Sequence, residues 1–158
     1  MKKVLFVILF AALLLCSACG TEESAPRKYT DWPKLYVTVG ETLVYESKGI
    51  NSWGVGGAWV VSGEPVSLEY RAEHMEYDTV SQAQAHCSFT LPPDNGMGVK
   101  CYQYIDGKLI EGETTLSEAD GTLELLPGKW IYQITARWYS EVEDYVGSGT
   151  FTFGIDLR

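Results

Sequence analysis

Trp130-Ile131-Tyr132-Gln133-Ile134-Thr135-Ala136-Arg137-Trp138 and Phe151-Thr152-Phe153-Gly154-Ile155-Asp156-Leu157 are the stretches whose reading decides the fold. In the first, Trp130, Tyr132, Ile134, Ala136 and Trp138 alternate with Gln133, Thr135 and Arg137. In the second, Phe151, Phe153, Ile155 and Leu157 alternate with Thr152 and Asp156, flanked by Thr150 and Arg158. Successive side chains of an extended chain point to opposite faces, so a period of two marks a strand with one face in a core. The apolar sets are expected to point inward and the polar sets outward. Between the two strands, Ser140 to Gly149 is acidic and contains glycine, which predicts a protruding hairpin loop.

The same pattern extends upstream. Val99, Cys101, Gln103 and Ile105 alternate with Lys100, Tyr102, Tyr104 and Asp106, and Asp106-Gly107 supplies the positive backbone angles of a two-residue hairpin turn. Lys108 to Glu113 is the expected return strand. Asp120-Gly121 and Pro127-Gly128 are turn signals bracketing a short strand, Thr122 to Leu126, expected to pair with the Trp130 strand. Leu35-Val37-Val39 and Leu43-Tyr45 flank a turn at Gly40-Glu41, and Val66-Leu68-Tyr70 is a further alternating run. Glu73 to His86 has no clear period; it reads as a single helical turn begun by Asp78 or Ser81, or as a loose edge connection. The composite is an all-β protein: an immunoglobulin-like antiparallel β-sandwich of about seven to nine strands, with a small barrel as the alternative.

The amino terminus carries a different signal. Lys2 and Lys3 precede an unbroken apolar run, Val4 to Leu15, and the small residues Ser17, Ala18 and Gly20 surround Cys19. Such a run spans only about 18 Å as a helix, short of the roughly 30 Å hydrocarbon layer, and so predicts an export signal rather than a permanent span. Cys16-Ser17-Ala18-Cys19 resembles the lipobox of bacterial lipoproteins, although Cys16 stands where the family usually has an aliphatic residue. The resemblance implies a signal peptide over residues 1–18, a diacylglyceryl group on Cys19, a tether over 19–28 and a folded domain over 29–158. The alternative is an ordinary secretory signal cleaved near Ala18. Two or three acyl chains, each buried methylene contributing about 0.8 kcal/mol, would hold such a domain on the extracytoplasmic face of the membrane.

With the leader and its two lysines removed, ten basic residues face 21 acidic ones, a net charge of −11. That balance repels anionic polymers, so nucleic acid is not an expected partner, and it favours cations or a basic partner. Cys87 and Cys101 are the cysteines left in the domain. An extracytoplasmic compartment permits a disulfide between them. Two buried thiols, or soft metal ligands joined by His74 and His86, are the alternatives, although no tight ligand spacing supports a metal.

Beyond the leader, Trp130-Ile131-Tyr132, Ala136-Arg137-Trp138-Tyr139 and the closing Phe151-Thr152-Phe153 resemble the last strands of small, poorly characterised lipoproteins of Gram-positive bacteria. The likeness includes the Leu35 to Gly40 strand and the Gly49 to Trp53 turn. It implies a final hairpin closing an immunoglobulin-like sandwich and carries no activity with it.

Candidate binding residues lie in Ile50 to Val61, where Trp53 and Trp59 flank Gly54, Gly56 and Gly57. Glycine costs backbone entropy, and an indole offers a large contact area with one donor, so two tryptophans on a glycine-rich loop point to stacking on sugars or gripping a partner's apolar side chains. The competing reading is a tryptophan in the core and glycines that only turn the chain. Tyr139, Glu141, Glu143, Asp144 and Tyr145 form an acidic, aromatic run, but neither it nor Asp94-Asn95-Gly96 has the spacing of a calcium loop. No serine sits in a nucleophile elbow and no motif surrounds His74 or His86. The sequence therefore predicts a non-enzymatic, membrane-anchored binding module without cofactor or metal, its partner an envelope protein or cell-wall glycan. A small envelope hydrolase and an accessory subunit of a membrane complex are the alternatives.

Overall fold

The computed structural model describes residues 33–47, 52–55, 58–61, 66–94, 96–139 and 145–158. Among these the chain forms eleven strands and one short helix. A four-stranded sheet has the order β2 (Thr42–Glu46), β1 (Leu35–Val39), β6 (Gln84–Phe89), β9 (Thr122–Glu124). A larger sheet runs β4 (Ala58–Val61), β3 (Ser52–Val55), β11 (Tyr145–Leu157), β10 (Gly128–Tyr139), β7 (Met97–Ile105), β8 (Lys108–Gly112), and β5 (Tyr77–Val80) joins it by pairing in parallel with the end of β11. Strands β1-β6-β9 opposite β11-β10-β7-β8 reproduce the immunoglobulin connectivity, with β2, the β3–β4 hairpin and β5 as additions. These additions take the count of strands above the expected seven to nine.

The core lies between the sheets, where the alternation placed it. Tyr132, Ile134, Ala136, Trp138, Phe151, Phe153 and Ile155 are buried against Leu35, Val37, Val39 and Cys87 of the smaller sheet. Two aromatic bridges tie the layers together. Tyr45 stacks on Phe153, and Phe153 on Tyr132, with centroids 5.0 and 5.8 Å apart. Phe89 meets the edges of Trp138 and Phe151, each at 5.6 Å. The Tyr132 hydroxyl accepts the Leu126 N–H at 2.7 Å, so the chain is pinned where it passes from β9 to β10. A tyrosine bonded back to the corner before its own strand is a hallmark of immunoglobulin domains.

Several expectations are corrected. The Thr122 strand pairs with β6, not with the Trp130 strand, through Gln84↔Glu124, Ala85↔Leu123 and His86↔Thr122. Pro127-Gly128 is thus a corner between sheets rather than a hairpin turn. Val66-Leu68-Tyr70 is not a strand: Leu68–Glu73 forms α1, capped by Ser67, whose Oγ accepts the Tyr70 N–H at 3.2 Å. Val66 and Tyr70 are exposed, while Ala72, one helical turn after Leu68, is buried. The helical turn expected at Asp78 or Ser81 is absent, since Tyr77–Val80 is strand β5. Strand β11 begins at Tyr145, so the expected loop loses its last five residues to the sheet, and residues 140–144 lie outside the described set. Leu43 is 52 % exposed because a register shift between Val37 and Thr38 leaves Val44 without a partner and breaks the alternation.

Asp156, expected outward, is 5 % exposed, its Oδ2 accepting from Arg158 Nε and the terminal guanidinium nitrogen at 2.9 and 2.7 Å. The outer face at this end of the large sheet is covered by the segment that follows α1. A Cβ on Gly154 would run into Met75 and the Glu76 carbonyl, and Ile131, opposite Gly154, is fully buried on that side.

Gly121 shows what the turns demand. Its φ of +71° favours glycine, and a Cβ there would collide with the Cys87 carbonyl oxygen, because the Gly121 carbonyl accepts the Cys87 N–H at 2.8 Å. Gly107 has a similar φ of +77° with open space around it. Gly107→Ala is expected to lower the unfolding free energy by about 1–2 kcal/mol, the cost of the left-handed conformation. Gly121→Ala is expected to cost clearly more, about 3 kcal/mol or above, because backbone must also move. Urea unfolding of the two variants side by side measures the difference.

Candidate functional site

The residues singled out for binding sit on a sheet edge. Strand β3 pairs with β4 through Ser52↔Val61, Trp53↔Val60, Gly54↔Trp59 and Val55↔Ala58, so Ile50 to Val61 contains an antiparallel hairpin rather than a free loop. This hairpin joins the large sheet through two register pairs, Gly147↔Trp53 and Ser148↔Ser52. Gly56 and Gly57 lie outside the described residues, as do Cys19 with the leader and tether, Asn95, Glu141, Glu143 and Asp144.

The two cysteines are free, buried thiols on opposite sheets, Cys87 on β6 and Cys101 on β7. In antibody domains the second cysteine of the inter-sheet bridge follows the corner tyrosine by two residues, which here is Ile134. Burial pushes the Cys87 thiol up to about 12 and raises that of Cys101 too. Neither is poised as a nucleophile, since the thiolate is the reactive form. The histidines are exposed and apart. His74 ends α1, its Nδ1 2.9 Å from the Tyr70 carbonyl oxygen and its ring 4.5 Å from that of Tyr70. His86 stands on the outer face of β6. Among the described residues no three His, Cys, Asp or Glu side chains converge as a metal would need, and no helix is long and apolar enough to cross a membrane.

A further feature lies near the opposite border of the large sheet. Where β8 ends, an open notch of about 460 Å³ lies between the β7 edge and β9, lined by Val99, Lys100, Glu111, Glu113, Thr115 and Glu124 among others. Lys100 is paired with Glu111 at 3.3 Å. The chain swings out of the large sheet at Gly112, over whose Cα the Trp130 indole lies, and is captured by β9: Thr114 Oγ1 donates to the Glu124 carbonyl at 2.6 Å, and the Glu124 N–H to the Thr115 carbonyl at 3.0 Å. No motif marks this place, because it depends on where one strand abandons another.

The class defined by this architecture is an all-β, two-sheet sandwich of immunoglobulin-like connectivity. Comparison with protein-family models, curated proteins and solved structures finds no match.

The thiols give a sharp chemical test. In native protein at pH 8 neither Cys87 nor Cys101 is expected to react with iodoacetamide; in urea without reductant both are expected to, counted by mass. Labelling that appears only after reductant is added would show them closed into a disulfide. Burial also raises Tyr132, to about 12. The folded state thus keeps protons that the unfolded chain releases from about pH 9 for the thiol and pH 10 for the phenol. Stability from these groups is complete below pH 9 and falls as pH rises towards 12. The urea midpoint is expected to drop across that window, less steeply at its lower end in Cys87→Ala.

Proposed function

We propose that this protein is a lipid-anchored, extracytoplasmic binding module that works without catalysis, its lipid on Cys19 and its partner an envelope protein or cell-wall glycan. The observation that carries this reading is the tryptophan hairpin. Trp53 and Trp59 stand on adjoining strands that join the rim of the large sheet by two register pairs. Binding residues concentrate on peripheral elements that a scaffold positions. In sequence, Gly56 and Gly57 fall between these strands, and glycine lets a backbone approach a ligand closely. The apolar leader and the small residues before Cys19 support export and anchoring, and the resemblance to small Gram-positive lipoproteins agrees with that address.

Two outcomes are expected. Cys19→Ser should move the protein from the membrane fraction to the soluble fraction in cells, seen by immunoblot of the two; unchanged membrane retention would sink lipid anchoring. The domain from Thr21 to Arg158, used as bait against solubilised envelope proteins and purified cell-wall glycan, should enrich a partner, and Trp53→Ala with Trp59→Ala should lose it while keeping the urea midpoint. A large fall in that midpoint would instead place the indoles in the fold's support.

A further inference from the structure

We infer that the notch beside β7 is a docking site for an extended, cationic peptide segment of a partner protein, taken up as an added strand. This rests on the binding-module reading and gives the module a second surface, on the far side of the large sheet from the tryptophan hairpin.

The inference begins with an incomplete ladder. β7 runs from Met97 to Ile105, and β10 pairs with its first half from Met97 to Tyr102. On the other side β8 reaches only from Ile105 back to Cys101. Met97 to Lys100 therefore form, among the described residues, a strand edge without a neighbour, about 13 Å long at roughly 3.3 Å per residue. Hydrogen-bond phase shows which groups look outward. Ile105 and Lys108 flank the two-residue turn and so form a doubly bonded pair; alternation passes that role to Gln103 and Cys101. In the same phase, Val99 directs its N–H and C=O into the notch, which it lines. An open edge of this kind is a template for strand addition, in which main-chain bonds supply affinity and flanking side chains supply selectivity.

The flanking charge sets the chemistry of the occupant. Lys100 is already satisfied by Glu111, whereas Glu113 and Glu124 are exposed and make no ion pair among the described residues. The notch thus presents two uncompensated carboxylates beside a backbone edge, in a protein of strongly acidic composition. Lys or Arg on alternate positions of an added strand would meet them, and the acidic surface would speed the approach of such a segment.

The test uses purified full-length protein in detergent micelles and three fluorescein-labelled synthetic peptides read by anisotropy: alternating Lys and Thr, alternating Glu and Thr, and the Lys-Thr peptide with alternate amides N-methylated. The Lys-Thr peptide should bind, and the other two should bind at least about tenfold more weakly. Glu113→Lys with Glu124→Lys should weaken the Lys-Thr peptide by a similar factor, and the uncharged pair Glu113→Gln with Glu124→Gln should shift it in the same direction should the first variant fold poorly. Equal binding of the N-methylated peptide would reduce the effect to bulk charge attraction and overturn the site, as would absence of binding or indifference to both pairs of substitutions. Trp53→Ala with Trp59→Ala should leave peptide binding unchanged. Peptide binding absent while tryptophan-dependent capture persists removes the notch alone; capture absent while the peptide binds removes the tryptophan site and retains the notch.

Discussion

The register of β10 against β11 is the constraint on which the rest of the structure depends. It runs from Gly128↔Leu157 to Trp138↔Gly147 before its single shift at Tyr139. Because side chains alternate, a slip of one residue would send Tyr132, Ile134, Trp138, Phe151 and Phe153 to the wrong face together. Each such side chain contributes about 1.5–3 kcal/mol by burial, so the correct register is favoured over its neighbours by an amount comparable to the whole net stability of a typical domain. Every other strand of the large sheet takes its position from this pair: β7 from β10, and β3 and β5 from the same edge of β11. The smaller sheet is then located through Tyr45 and Phe89, whose rings reach across to the hairpin.

The parts legible in the sequence were those in which one physical rule acts alone. Strand β1, β10 from Tyr132 to Trp138 and β11 from Gly147 to Phe153 alternate as read, β7 does so only around Cys101, and the Asp106-Gly107 turn has the left-handed angles its residues favour, φ +51° and +77°. Where two rules compete, the reading failed. Val66, Leu68 and Tyr70 fit a period of two, but Leu68 and Ala72 fit a helical turn, and the Ser67 cap decides between them. Leu43 follows the pattern in sequence and violates it in space because a bulge consumes one residue. Asp156 looked solvent-bound because nothing local shows that a distant segment folds over it. Alternation names an inner face and never a neighbour, which is why β9 was assigned to the wrong partner. The notch was invisible for the same reason, while Trp53 and Trp59 could be picked out by composition.

Both candidate binding surfaces lie on the margins of the large sheet. In the order β4-β3-β11-β10-β7-β8, the tryptophan hairpin forms one border and the notch lies near the other. The middle of the sheet is occupied on both faces, by the aromatic core within and by Met75 and Glu76 at Gly154 without. A sandwich of this size uses its interior for cohesion, which leaves the borders of its sheets as the places where backbone edges stay open. The buried thiols belong to the interior: their burial argues for a role in packing rather than in exchange chemistry.

Strand β11, at the centre of the large sheet, comes later in the chain than every strand it pairs with. A chain made from its amino terminus exposes β3, β5 and β10 before the partner they share exists, and Arg158, just after β11, bonds back to Val80. Completion of the sheet therefore waits until β11 has been made. Until then its earlier strands stand as unmatched edges, the kind of surface that pairs wrongly with other chains.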